Sequence, residues 1–220
     1  MGDKLGPLLD VMERGGAAIW LLAGLAALTA GVIVWKILRL TVMRAWRPGL
    51  AERAIADWTS GNRSSARDRI RRARGLYVAP VATTLELLEH GGHDGASMRE
   101  EIARVAAIQL GQARAGLRSL ELVATIAPLV GLLGTVLGMV SAFQALEAAG
   151  SRADPSALAG GIWEALLTTA VGMAVAIPAS AALTWFESVA DRAQARIEDM
   201  VTRLLLSADV APSSHRLAAE

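Results

Sequence analysis

Cysteine is absent from the chain, which excludes disulfides and thiolate metal sites. Aromatic residues make up only 4%, and none is interleaved with the basic run "RDRIRRAR". Nucleic acid is therefore not an expected partner. Neither sign of charge prevails: 22 Lys and Arg against 21 Asp and Glu leave a net charge of +1. That balance says little about partners, because the charges are segregated along the chain. No glycine-rich phosphate loop or nucleophile elbow occurs. His90 and His93 flank two glycines without further ligands at metal-binding spacing, so a solvated turn is expected there. Bond-making chemistry, a cofactor and a metal are all unexpected, and so is an enzyme.

What is abundant is apolar. Hydrophobic residues make up 53% of the chain and gather in three blocks, Ala17–Leu38, Leu122–Leu146 and Ala157–Phe186. Each is long enough to cross a bilayer core as a helix, which takes about 20 residues. The expected fold is all-α: a polytopic membrane protein with three transmembrane helices, two of them extended into long cytoplasmic helices. The first block lacks a basic leader and a convincing cleavage site and is longer than a typical signal sequence, so it is expected to be retained. Most of the arginines fall between Arg39 and Ser119. The connection between the second and third spans offers only Arg152, and Lys4 and Arg14 precede the first. Because positive loops stay inside, the N-terminus is expected to be periplasmic and the C-terminus cytoplasmic, with Arg192, Arg196 and Arg203 agreeing. The resulting division is an outer segment 1–16, spans at 17–38, 121–146 and 157–186, an Arg-rich cytoplasmic region 39–120, a periplasmic turn 147–156, and a cytoplasmic helix and tail 187–220.

Within the Arg-rich region, Arg47-Pro48-Gly49 breaks any helix leaving span one. Short helices are expected over Leu50–Trp58, over "SSARDRIRRAR" behind a serine cap, and over Val81–His90. Ser97 with Glu100 reads as a capping box. From Met98 the pattern stays helical, so the second span is expected to be the membrane half of one long helix. Asp154-Pro155 suits the start of the third. That helix should continue past the membrane on Val189, Ala193, Ile197, Val201 and Leu204, before a loose tail from Ala208.

The spans carry the functional information. In "APLVGLLGTVLGMVSAF", Pro128, Gly131, Thr135, Gly138 and Ala142 form a narrow stripe of small residues around a hydroxyl. Gly134 lies between them. In span three, Gly161, Glu164, Thr168, Gly172, Ala176 and Ala179 share one broad face, with Pro178 beside it. Small residues let helices approach closely in lipid, so the glycines are expected to pack helices. For Thr135, bonding to its own helix and serving an ion path weigh equally. A carboxylate in hydrocarbon costs roughly 2.5–3.5 kcal/mol on insertion scales. Glu164 could rest at the outer interface. The apolar stretch on its outer side and its companions Thr168 and Thr169 favour a position in a bundle interior, where a titratable carrier beside hydroxyls serves ion transfer.

"APLVGLLGTVLGM" followed by "GGIWEALLTTAVGMAVAIP" resembles the ExbB/TolQ/MotA family of ion-driven motor proteins, in its three-span ExbB and TolQ branch and most like ExbB. The likeness is close over Leu120–Ile197 and looser elsewhere. It implies an ion pathway through Thr135, Glu164 and Thr169, with Thr168 beside them, and a homopentamer around a pore in the bacterial inner membrane. It also implies a single-span ExbD- or TolR-like partner bearing an aspartate, and a TonB- or TolA-like protein taking up the force. Leu137 and Gly160 stand where a tryptophan and a proline are common in the best-known members. The Thr168-Thr169 pair resembles sodium-driven flagellar stators, which leaves proton and sodium coupling both open. The function implied is an ion-channel subunit coupling the proton motive force to TonB-dependent nutrient uptake. A TolQ-like role in envelope integrity and division is the alternative, and a non-conducting membrane scaffold is the competitor of another class.

Overall fold

A computed structural model describes residues 16–43, 45, 48–90, 94–150 and 155–216. Among them the chain is all-helical: α1 (Gly16–Val42), α2 (Gly49–Thr59), α3 (Arg63–Arg72), α4 (Val78–His90), α5 (Gly95–Arg114), α6 (Leu117–Ala149) and α7 (Pro155–Arg216). Three are long and apolar enough to cross a membrane: α1 over Ala17–Val42, α6, and α7 over Leu158–Ala208. The two long helices, α6 and α7, have 33 and 62 residues. The outer segment up to residue 15, Arg44, Arg47, His93, Arg152 and Asp154 lie outside the described residues, as does the end of the tail.

The chain divides into two compact units. The first takes α1 up to Trp35, all of α6, and α7 up to Thr184. Its core is Leu22 from α1, Val123 and Ala127 from α6, and Val175, Ala176 and Ala179 from α7. Apart from Leu22 these side chains are alanine or valine, because lipid is as apolar as leucine and gives helices no hydrophobic reason to associate. Close van der Waals contact must hold them instead. Large residues such as Leu129, Leu132, Leu133, Trp163, Leu166 and Ile177 are exposed.

The second unit contains α2 to α5 with the C-terminal end of α1 from Lys36 and the remainder of α7. Here burial follows ordinary amphipathic spacing. Phe186, Val189, Ala193, Ile197, Met200 and Leu204 of α7 are buried at three- and four-residue steps. Met200 takes the place expected of Val201, which is half-buried. Asp57 of α2 ties down α3: its carboxylate accepts from Arg69 Nε at 2.8 Å and from Ser65 Oγ at 3.1 Å. Arg63 lies 5.0 Å from the centre of the Trp58 ring, and Arg67 pairs with Glu89.

Five local expectations are corrected. Helix α3 opens on Asn62, whose side chain accepts from Ser65 N–H at 3.3 Å, so the serines lie inside the first turn. Helix α4 begins at Val78, because Pro80 fits a first turn, where its missing N–H costs nothing. Helix α5 begins at Gly95: Met98 N–H already bonds to the Asp94 carbonyl at 3.0 Å, which places Ser97 in the interior. The long helix expected from Met98 is interrupted between α5 and α6 at Ala115-Gly116. Ala115 is extended and Gly116 has φ +83°, a left-handed conformation open to glycine and strained for other residues. Trp35 lies over Gly116, with ring carbon Cζ3 2.7 Å from where a Cβ would stand. The helical backbone of α7 also runs on to Arg216, past the expected start of the tail.

Lys36, in the last turns of span one, is fully buried at 1% exposure. Its ammonium donates to the carbonyls of Ala113 and Ala115, each at 2.5 Å. These belong to the end of α5, where carbonyls lack helical partners and the dipole favours a cation.

Candidate functional site

In the first unit, a groove of about 290 Å³ runs among the three apolar helices. Ala17 and Ala18 of α1, Gly134, Leu137, Gly138 and Ser141 of α6, and Gly161, Glu164, Ala165 and Thr168 of α7 line it. The groove exists because the residues facing it are small. A Cβ at Gly134 would stand 2.6 Å from Thr168 Oγ1, one at Gly138 2.9 Å from Ala165 Cβ, and one at Gly161 2.7 Å from Ala142 Cβ. Just beyond the groove, α6 and α7 meet backbone to backbone. A Cβ at Gly131 would lie 3.0 Å from Thr169 Cα, and one at Gly172 2.7 Å from the Ala127 carbonyl oxygen. Pro128 and Pro178 sit inside α6 and α7. Each removes an N–H from the helix ladder, which leaves the carbonyls of Ala124 and Ala174 without their usual partner.

Glu164 is half-buried. Among the described residues no lysine or arginine forms a salt bridge with it. Its companion is Thr168, 3% exposed, whose hydroxyl lies 2.7 Å from the Ala165 carbonyl and 3.1 Å from the Gly131 carbonyl on the facing helix. One hydroxyl proton serves both acceptors, so the oxygen keeps its own lone pairs to accept a bond. A carboxyl group, an acceptor hydroxyl and Ser141 thus share a narrow polar strip in apolar surroundings.

The four expected ion-path residues are not all gathered. Thr135 donates to the Leu132 carbonyl of its own helix at 2.7 Å and does not line the groove. Thr169 does not line it either. Its Oγ1 is buried and, among the described residues, has no hydrogen-bond partner, which is uncommon for a buried polar atom. Within one chain, Glu164 is therefore grouped with Thr168, while Thr135 and Thr169 lie apart from that pair. Sequence reasoning passed over Ser141, a small polar residue one turn beyond Gly138. It also passed over Lys36, although a lone lysine in "VIVWKIL" was a visible signal. Among the described residues no three His, Asp or Glu side chains converge as metal ligands would.

Residues 73–199 match the MotA/TolQ/ExbB proton channel family. Among curated proteins, the chain is 41% identical over 113 residues to biopolymer transport protein exbB1 of Vibrio cholerae, a match covering 51% of this chain and 49% of that protein. It is 31% identical over 174 residues to a putative ExbB homologue of Methanothermobacter thermautotrophicus, covering 78% of this chain and 60% of the relative. It is also 48% identical over 60 residues to the Tol-Pal system protein TolQ of Haemophilus influenzae, covering 27% and 26%. The chain thus spans less than two thirds of the length of each of these relatives.

Proposed function

Since the chain belongs to the MotA/TolQ/ExbB proton channel family, we propose that it is the ion-conducting subunit of an ExbB-like motor that couples the proton motive force to nutrient uptake across the outer membrane. The observation that carries this reading is Glu164, a carboxyl without a cationic partner among the described residues. It shares a polar strip with Thr168 between three apolar helices. A group that only packed helices would gain nothing from charge there, whereas a carrier needs to take up and release a cation out of bulk water. The Thr169 hydroxyl, without a partner among the described residues, supplies a second polar atom on the same helix, and Thr135 supplies one on the facing helix.

In this proposal the subunits form a homopentamer in the inner membrane, N-terminus periplasmic and C-terminus cytoplasmic, around the spans of an ExbD- or TolR-like partner. A TonB- or TolA-like protein receives the force. Glycines 131, 134, 138, 161 and 172, with the two prolines, hold α6 and α7 close enough to keep the strip from lipid. Similarity to a TolQ protein supports a second reading, an envelope-integrity motor. Deletion strains separate the two, by failure on scarce chelated iron or by detergent sensitivity and chained cells.

The test is ion flux in proteoliposomes containing the chain and its single-span partner. Glu164→Gln should assemble as the wild type does, while flux falls to the leak of empty vesicles. Flux no greater than the leak from an assembled wild-type complex would favour a scaffold, and normal flux from an assembled Glu164→Gln complex would remove Glu164 from the ion path. A pH gradient compared with a sodium gradient identifies the coupling ion.

A further inference from the structure

A second polar cavity, of about 100 Å³, lies in the second unit. Ala45, Tyr77, Val189, Arg192, Ala193 and Arg196 line it. Its floor is Tyr77, 3% exposed, whose hydroxyl donates to the Ala45 carbonyl at 2.7 Å. Arg196 lines the cavity beside that phenol. Burial, the largest influence, pushes the Tyr77 phenol above its ordinary pKa, while the Arg196 charge pulls it partly back. The ring therefore stays a neutral, fixed donor and acceptor.

Above it stand two guanidiniums one turn apart on α7. On that helix Asp191 pairs with Arg114 and Asp199 with Arg203; Glu187 and Glu198 also lie on it but do not line the cavity. Glu52 of α2 also acts on the Tyr77 phenol, weakly raising its pKa. Two arginines and no carboxylate line the cavity, which leaves it positive. Its volume is that of about three waters, suited to a tetrahedral oxyanion, and the planar fork of arginine matches phosphate oxygens in pairs.

We propose that Arg192, Arg196 and the Tyr77 hydroxyl form a binding site for a phosphate group on the C-terminal side of the third span. The apolar run of α7 ends at Phe186, so Arg192 and Arg196 follow it by roughly 9 and 15 Å of helix axis. Helical side chains tilt toward the N-terminus, which on α7 is toward the membrane, and arginine stems reach along apolar surface to place their heads at the headgroup layer. That placement favours the headgroup of an anionic phospholipid over a soluble phosphate ester. The site is independent of ion conduction and needs only that α7 cross a bilayer.

The experiment uses the full chain, delipidated in zwitterionic detergent and followed by thermal denaturation and native mass spectrometry. The probes are phosphatidylglycerol, phosphatidylcholine and, separately, inorganic phosphate and glycerol phosphate. Phosphatidylglycerol should stabilise the wild type and remain bound in the mass spectrum, and phosphatidylcholine should do neither. Arg192→Gln with Arg196→Gln should weaken phosphatidylglycerol binding on the order of tenfold or more, with the ligand-free melting temperature unchanged because both side chains are exposed. Lysine at both positions keeps the charge without the paired N–H geometry and should bind with intermediate affinity. Glu52→Gln should strengthen binding. Stabilisation by the soluble phosphates that disappears in the glutamine variant would support the site and identify its ligand as soluble. Equal responses of wild type and glutamine variant to every probe, or none in either, would overturn the proposal.

Discussion

Replacing Gly172 by alanine tests whether backbone contact holds α6 and α7 together. The new methyl would stand 2.7 Å from the Ala127 carbonyl oxygen and 3.1 Å from Gly131 Cα. Backbone cannot rotate away as a side-chain tip can. To reach an ordinary contact of about 3.5 Å, the helices must part by roughly 0.8 Å, and overpacking of this kind costs about 1–3 kcal/mol. Alanine is also a better helix former than glycine by about 1 kcal/mol, which would hide part of the loss. Gly24 and Gly31 of α1 provide the control, since a Cβ at either meets nothing within 4 Å. Comparing Gly172→Ala with Gly24→Ala and Gly31→Ala cancels the propensity gain and leaves the steric cost, a factor of roughly 5–150 in the unfolding equilibrium. The assay is reversible unfolding in mixed micelles titrated with a denaturing detergent, monitored by helical circular dichroism. If all three variants unfold at the same detergent fraction, close packing of Gly172 against Ala127 is not what secures this pair.

Thr168→Val removes the hydroxyl bridging to Gly131, and should lower stability by about 0.6 kcal/mol, the average for such bonds in membranes. Thr135→Val, which loses only a bond within its own helix, should change the same unfolding curve less. Gly116→Ala forces a left-handed alanine at about 1–2 kcal/mol and drives its methyl into Trp35; adding Trp35→Leu should recover only the steric share of the lost melting temperature. In the second unit, the Arg69 hydrogen bond holds the Asp57 carboxyl below its ordinary pKa, with burial opposing and Ser65 assisting. A depressed carboxylate stabilises the fold above its unfolded pKa of about 3.9, and that stability is lost as pH falls through the lower folded value. Asp57→Asn should flatten this acid dependence of unfolding below about pH 4 while leaving wild-type behaviour near neutrality less changed in slope.

Much of the architecture was legible because a bilayer imposes a length on any helix that crosses it. Three apolar blocks of that length leave little choice of fold. The glycine faces were legible because a helix interface in lipid has few ways to form other than small residues at three- and four-residue steps. The break at Gly116 was not, since "ARAGLRS" continues a helical pattern and the positive φ becomes evident only with Trp35 across it. Asn62 and Ser64 are both good caps two residues apart, and the sequence does not say which oxygen reaches an N–H. For the candidate site, the grouping of Glu164 with Thr168 was readable from their spacing of four. The isolation of the Thr169 hydroxyl was not, because it depends on where α6 runs. The cavity over Tyr77 joins residues more than a hundred positions apart in sequence, and no local pattern announces it.

The buried ammonium of Lys36 bears on how the chain is made. Its two carbonyl partners lie 77 and 79 residues downstream, so they do not yet exist when the first span leaves the ribosome. At a synthesis rate of roughly 5–20 residues per second, they are made roughly 4–16 seconds after Lys36 itself. Until then the charge needs water, which it reaches by extending its stem to the interface. The first span therefore cannot complete its seating on its own. Its final depth is set only after the end of α5 has been translated and has arrived to replace the solvent.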